Sequence, residues 1–424
     1  MVAAASTFMI VKPELVRGAG KEKLKAGLIG CGGRGTQAVI DLMRGTENVD
    51  VVAMGDIFED KLEASLGNMK KQKDYGTYQD RIKVGPDKRF VGFDAFKKVL
   101  ASDIDIVMLA TPPGYRPEHF EAAVNAKKHV FCEKPFGTDP VGVQRFMKAA
   151  KKSEELKLSV MSGAQRRHAK DYQETIKKIQ DGQIGDIAAM YAYWVGTPVF
   201  PIGRPELRKD TWKGMTWQHR QWYSFVWICG DQIVEQHLHN IDVCNWAMNG
   251  HPVKAVASGG VTWRKPTEDP EWYGNIYDHV SADFEYANGV HMSSYCRQYP
   301  RGSAQNVSEL IVGTKGRSNG HDLGTGTGQD VRTAFQDQRE NPYVREHTAL
   351  IASIRGDGPY INHAMAVAET TMTCIMGREA AYSGQEITWD MMMNSKLDLQ
   401  PKQFDYDLKM DIPPLPVPGV YKFV

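Results

Sequence analysis

Residues 28–35 read LIGCGGRG, and the fold follows from what stands on either side of them. The apolar KLKAGLIG precedes the glycines and the amphipathic QAVIDLMRG follows, so Gly30-x-Gly32-x-x-Gly35 occupies a strand-to-helix turn. Glycines there let the backbone approach a pyrophosphate, whose charge then rests on the helix N-terminus. Gly33 and Arg34 complete the loop. Asp56 closes the next apolar run, VDVVAMGD, 21 residues beyond Gly35. That is the spacing of a carboxylate that bonds the adenosine ribose hydroxyls. Asp56 would repel a 2′-phosphate and so favours NAD over NADP, whereas Arg34 works against that preference.

Outward from this turn, β-branched runs and amphipathic segments alternate as far as Leu158: EDKLEASLGNMKK, IDIVMLATPP, HFEAAVNAKK, HVFCEKP, DPVGVQRFMKAAKKSEEL and KLSVMSG. Such alternation predicts βαβ units and a doubly wound parallel sheet over 23–160. After Gly163 the strand-like runs IAAMYAYWV, VKAVASGGVTW, HVSADFEYANGVHMSSYCR and SELIVGT predict a large, mostly antiparallel sheet with helices on one face. They belong to a second unit, 161–424. A long helical pattern, 362–384, ends in glycine and is expected to return to the first unit.

Composition narrows the function classes. Fifty-two basic residues balance 51 acidic ones, a net charge of +1, which gives no argument for a nucleic-acid or anionic-membrane partner. No apolar run approaches the roughly 20 residues of a spanning helix. Cys31, Cys132, Cys229, Cys244, Cys296 and Cys374 show no CxxC spacing, against a structural zinc site and a dense disulfide framework. Residues 1–22 begin MVAAASTFMIVKP, which resembles the tail of a twin-arginine export signal without its arginine pair. A periplasmic or secreted location is expected on that ground, with a flexible cytoplasmic N-terminus as the alternative.

Two further strand ends carry chemistry. In ATPPGYRPEHF (110–120), Thr111, Pro112 and Pro113 would line the cofactor, and His119 opens the next helix, where packing or capping competes with a cofactor contact. In FCEKPFGTDP (131–140), Glu133 and Lys134 stand between an apolar strand and a proline, facing the nicotinamide half of the crevice. A lysine beside oxidised nicotinamide feels a like charge, which helps it accept or share an alcohol proton. Glu133 would orient that lysine or the ribose.

LIGCGGRG, Asp56, ATPP with His119 and above all HVFCEKPFG resemble the glucose–fructose oxidoreductase and inositol dehydrogenase superfamily, Gfo/Idh/MocA. The resemblance extends into GQIGDI (182–187) and REAAYSGQEITW (378–389). It implies a Rossmann domain followed by an α/β domain whose open sheet pairs subunits into a homodimer or homotetramer. It also implies hydride transfer between NAD and a sugar-like alcohol.

In CGDQIVEQHLHNIDVCNW (229–246), the helical spacing of Glu235, His239 and Asp242 predicts one shared face. The family's pattern is aspartate, histidine, aspartate. His239 and Asp242 match it, and Glu235 stands at the first aspartate. His239 is the candidate acid/base, with Glu235 and Asp242 positioning substrate and ring. His237, two residues away on a helix, cannot share a metal with His239. A site from Glu235, His239 and Asp231 is the weaker reading, and no metal is expected. Within GAQRRH (163–168), Arg166 or Arg167 would bind sugar hydroxyls. Trp194, Tyr193 and Trp222 would stack on a sugar ring or serve as core.

The function expected is oxidation of a secondary alcohol of a sugar, polyol or glycoside. Two alternatives stand beside it. One is redox-assisted glycoside cleavage on a recycled NAD, although EQHLHNID replaces the THG-type motif of the exo-glycosidase branch. The other is a non-catalytic nucleotide-binding sensor, against which Lys134 and His239 are both present.

Overall fold

A computed structural model describes residues 23–199, 209–325, 329–331 and 341–423. The export-like segment 1–22 lies outside the described residues. The first sheet has six strands: β1 (Leu24–Ile29), β2 (Val49–Asp56), β3 (Arg89–Val91), β4 (Ile106–Leu109), β5 (His129–Cys132) and β6 (Val160–Ser162). Their order is β3-β2-β1-β4-β5-β6, and every pairing is parallel.

A parallel sheet is covered on both faces, so its strands are apolar throughout and successive side chains feed different cores. In β4, Ile106 and Met108 join Leu28, Val39 and Leu42 on one face, while Val107 and Leu109 join Phe120 and Phe146 on the other. The chain reverses direction of growth between β1 and β4, which opens a crevice at their carboxyl ends.

The second sheet is built from β7 (Ile187–Gly196), β8 (Lys254–Gly260), β9 (His279–Glu285), β10 (His291–Gln298), β11 (Asn306–Gly313), β12 (Gly316–Ser318), β13 (Leu323–Thr325), β14 (Gln329–Val331) and β15 (Ile387–Thr388). Its order is β14-β13-β12-β11-β7-β10-β9-β8-β15, antiparallel except where β7 runs alongside β10. This is the α/β architecture expected, a doubly wound sheet followed by a large open one. The YANG turn carries β9 into β10, with Gly289 at φ +80.

Helix Ala364–Ser383 ends at Gly384, in the left-handed region, and packs between helix Pro140–Glu155 of the first sheet and strand β8 of the second. It joins the two halves directly: Thr371 Oγ1 accepts the Phe136 amide at 3.1 Å. The opposite face of the second sheet is open, with Tyr193 and Tyr295 stacked at 5.8 Å and Tyr295 45% exposed.

The single helix expected over Glu235–Asp242 is broken. A short helix, Gln232–Glu235, ends at Gln236, and a new one, Leu238–Met248, begins after His237. His237 is drawn inward, with its Nε2 2.8 Å from Ser294 Oγ. All six cysteines are buried and free. Among the described residues no helix is long and apolar enough to cross a membrane.

Candidate active site

One cavity of about 460 Å³ runs from the glycine turn and Asp56 to Lys134, Glu235 and His239. At its first end, Gly30 has φ +95, and a Cβ there would lie 2.6 Å from the Ala110 carbonyl carbon. Gly35 brings helix Gly33–Gly45 onto the strand: a Cβ would fall 1.9 Å from the Gly30 carbonyl oxygen. Gly32 and Gly33, by contrast, have nothing within 4 Å of that position. The turn is thus tight on its protein side and open on its cavity side, at a helix N-terminus, and fits a pyrophosphate.

Asp56 Oδ2 accepts the Cys31 amide at 2.7 Å and Oδ1 accepts the Phe58 amide at 2.9 Å. These bonds aim the carboxylate across the turn and leave each oxygen acceptor capacity for a ribose hydroxyl. Burial pushes the Asp56 carboxyl up, against the two amide bonds.

Arg34 is committed elsewhere. Its guanidinium bonds Glu133, Glu346 Oε1 at 3.0 Å and Asp41 Oδ2 at 3.3 Å, and lies 4.7 Å from the Tyr343 ring centre. Three carboxylates and an aromatic face hold it, so the argument from Arg34 toward NADP loses its force. Glu133 is itself seated by a glycine, since a Cβ on Gly163 would lie 2.5 Å from its carboxylate.

At the other end, Lys134 is buried and donates to the Glu235 backbone carbonyl and to Glu235 Oε1 at 3.2 Å. Glu235 Oε2 accepts from Gln236 Nε2 at 2.6 Å. His239 lines the cavity with its ring stacked on Trp194 at 5.9 Å, and its Nδ1 is buried with no partner. Burial, then Lys134, Arg166 and Arg34, hold its pKa well below the usual histidine value, so the ring is neutral.

Other candidates are placed differently. Asp242 is outside the cavity wall, held by Arg167 through two 2.8 Å bonds and by Thr370 Oγ1 at 3.0 Å. Arg166 lies behind the histidine, bonded to Glu309 and, at 3.3 Å, to the His239 carbonyl. Trp222 lines the cavity; Trp194 reaches it only through His239. Thr111 and Pro112 line the wall, while Pro113 is buried in the following turn. His119 borders a small adjoining cavity beside Asp56, stacked on Phe96 at 4.2 Å. Burial lowers its pKa to about 3, so it is a neutral packing group.

Sequence reasoning passed over Gln165, Gln236, Arg220 and Tyr343, all on the cavity wall. Gln165 stands one residue before the arginine chosen, in the single turn Gln165–His168, and its Oε1 is buried with no partner. Among the described residues no cluster of three or more His, Cys, Asp or Glu side chains could hold a metal ion.

Residues 24–162 match the profile "Oxidoreductase family, NAD-binding Rossmann fold" of the Gfo/Idh/MocA group. An inositol 2-dehydrogenase of Salmonella typhimurium is 29% identical over 227 residues, 53% of this chain and 55% of that protein. One of Rhizobium meliloti is 24% identical over 265 residues, 60% of this chain and 71% of that protein. The chain thus spans about half the length of the first of these curated relatives. Among solved structures, apo scyllo-inositol dehydrogenase of Lactobacillus casei superposes with a TM-score of 0.62 at 19% identity, covering 87% of this chain and 98% of the other. The WlbA dehydrogenase of Bordetella pertussis, solved with NADH and UDP-GlcNAcA, gives 0.64 at 18% identity, covering 87% and 98%. At these identities the superpositions establish the fold. The glycine turn, Asp56 and the Glu-Lys-Pro strand end all lie in the matched segment, so residues 24–162 form an NAD-binding Rossmann domain of the Gfo/Idh/MocA oxidoreductase family.

Proposed function

We propose that the chain is an NAD-dependent oxidoreductase acting on a secondary alcohol of a sugar, polyol or glycoside. The observation that carries this reading is the single cavity joining Gly30, Gly32, Gly33 and Asp56 to Lys134, Glu235 and His239. In this reading residues 23–160 hold the cofactor and 161–424 the substrate. Gly32 and Gly33 would receive the pyrophosphate, Asp56 the adenosine ribose, and Thr111 and Pro112 the wall beside it. Bound NAD would supply the hydride acceptor.

The chain's own residues then manage the proton and the pose. His239, neutral because it is buried among cations, takes the alcohol proton on the nitrogen facing the cavity. Lys134, fixed by Glu235, places its ammonium beside the alcohol oxygen and stabilises the charge that develops there. Gln165 and Gln236 offer hydrogen bonds to neighbouring hydroxyls, and Trp222 offers an apolar face to a ring. Asp242 and Arg166 act behind this surface: Arg166 bonds the His239 backbone, and Asp242 fixes Arg167 beside it. The open face with Tyr193 and Tyr295 supports assembly of a dimer or tetramer through the second sheet. Export directed by residues 1–22 rests on the sequence alone.

The names of the curated relatives direct substrate screening to inositols first and to other polyols and glycosides after. The test is to denature purified protein, identify any nicotinamide released, and assay these alcohols with NAD and with NADP. Alcohol-dependent reduction of NAD supports the reading. Failure to bind either nucleotide overturns it.

A further inference from the structure

The far end of the cavity, beside Asp56, is not walled by the Rossmann domain alone. Ile57, Phe58 and Lys61 form one side, and His219 and Arg220, at the end of helix Gly214–Arg220, form the other. Arg220 crosses to the Rossmann side. Its Nη1 and Nη2 bond the two carboxylate oxygens of Asp60 at 2.8 and 2.7 Å, and its guanidinium carbon lies 3.6 Å from the Phe58 ring centre. Arg220 is 11% exposed, and its Nε is buried with no partner.

A second strand of chain reinforces the first. The Met215 amide donates to Leu408 O at 2.8 Å, and the Thr216 amide and hydroxyl donate to Tyr406 O at 3.2 and 2.9 Å. Tyr406 in turn donates its hydroxyl to Ile57 O at 2.5 Å and packs its ring on Phe93 at 4.7 Å. Helix 214–220 and the segment around Tyr406 are therefore tied to each other. Each is also separately tied to the two residues that follow Asp56.

We propose that Arg220 and Tyr406 latch the second half of the chain over the adenosine end of the cofactor, so that the nicotinamide dinucleotide is a slowly exchanging, resident group. The proposal rests on the reading of this cavity as the NAD site. It goes beyond that reading in assigning cofactor retention to residues outside the Rossmann domain. The glycine turn binds from below, and the latch closes the side from which adenosine would leave. The Arg220–Asp60 pair and the Tyr406–Ile57 bond must both open for exchange, which makes release and entry slow together.

The test is a chase measurement on the full chain. Protein loaded with NADH is mixed with excess NAD, and the loss of bound-NADH fluorescence is followed for the wild type, Asp60→Asn and Tyr406→Phe. Asp60→Asn removes the charge and one of the two Arg220 bonds, Tyr406→Phe removes the bond to Ile57 O, and both keep the shape of the side chain. Release is expected to accelerate about tenfold in each, the value of one hydrogen bond of roughly 1.4 kcal/mol. The association rate is expected to rise with it, a joint change that simple damage to the site would not give. If the wild type binds NADH and both variants release it at the wild-type rate, the latch is overturned and the NAD site stands. If the wild type binds no nicotinamide dinucleotide, the site reading fails and takes the latch with it. Circular dichroism and melting temperature establish that each variant is folded, and an Arg220→Gln variant repeats the test if Asp60→Asn is not.

Discussion

Lys134 Nζ lies 3.2 Å from Glu235 Oε1 and also donates to the backbone carbonyl of the same residue, so one side chain is held by both ends of its partner. The two residues come from different halves of the molecule, the turn just after β5 and the short helix Gln232–Glu235. The bond therefore places the Glu-Lys-Pro strand end against the helix break that presents His239. Substitution of Lys134 by Ala is expected to lower kcat by about 10²–10³-fold, the range for loss of one preorganised donor that stabilises developing charge. Glu235→Gln keeps the carbonyl contact and one oxygen acceptor and is expected to cost less. Steady-state kinetics on an accepted alcohol compare the two, and a Glu235→Gln variant slower than Lys134→Ala would invert the roles assigned here.

His239 sets the pH dependence. Its pKa is held well below 6.5, so its base form persists as pH falls through the ordinary histidine range. The acid limb of kcat/KM, which reports the free enzyme, is expected to lie below pH 6.5. A limb centred above that value would show that the ring is not the base.

Two neighbouring glycines are expected to fail in different ways. A Cβ at Gly35 would meet the Gly30 carbonyl oxygen at 1.9 Å, so Gly35→Ala must push helix and strand apart and should cost about 1–3 kcal/mol of stability. Gly32 has nothing within 4 Å and φ −67, so Gly32→Ala should melt as the wild type does while crowding the pyrophosphate site. Denaturant unfolding and NAD titration separate the two effects.

Six buried histidines make the fold acid-labile. His119 and His237 are lowered to about 3, His168 and His219 to about 4, and His239 and His347 well below 6.5, with burial the largest cause in each. Unfolded, each would titrate near 6.5 and bind a proton that the folded chain refuses. Stability is thus full above pH 6.5 and falls as pH drops below it toward the folded values. The loss is up to about 1.4 kcal/mol per pH unit for each ring. Urea midpoints between pH 7.5 and 5 should decline steeply, and a flat profile would mean that these rings protonate without unfolding.

Asp56 sets the choice of cofactor. Asp56→Asn keeps an oxygen for one of the two backbone amides and removes the negative charge. Affinity for NAD is expected to fall by about tenfold, and discrimination against NADP to fall further, because the repulsion of the 2′-phosphate is lost. Parallel titrations with both dinucleotides measure the ratio.

What could be seen in the sequence was local. Gly30, Gly32, Gly35, Asp56, Glu133 and Lys134 are each fixed by their position at a strand end, and strand ends are marked by where an apolar run stops. What escaped depends on a break or on distance. The helix breaks after Glu235, and the residues that straddle the break, Glu235 and His239, still reach the cavity, while Asp242 turns away to Arg167. Helical spacing cannot anticipate that break because it assumes one axis throughout. Gln165 and Arg166 are adjacent, yet the single turn that holds them directs one into the cavity and the other behind His239. Arg220 and Asp60 are paired across 160 residues, and no local pattern carries such a pairing.

The seating of Arg34 bears on how this chain can vary. One guanidinium neutralises Asp41 on its own helix, Glu133 just after β5 and Glu346 in the second half of the chain. Remove it, and the three acids lose the guanidinium that bonds all of them, while Gln37 still donates to Asp41. A descendant that replaces Arg34 alone would damage phosphate binding, the catalytic strand end and the contact between the halves in a single step. Tolerated change at these four positions should therefore arrive in concert, as a correlated substitution that an alignment of near relatives would display as one unit of inheritance.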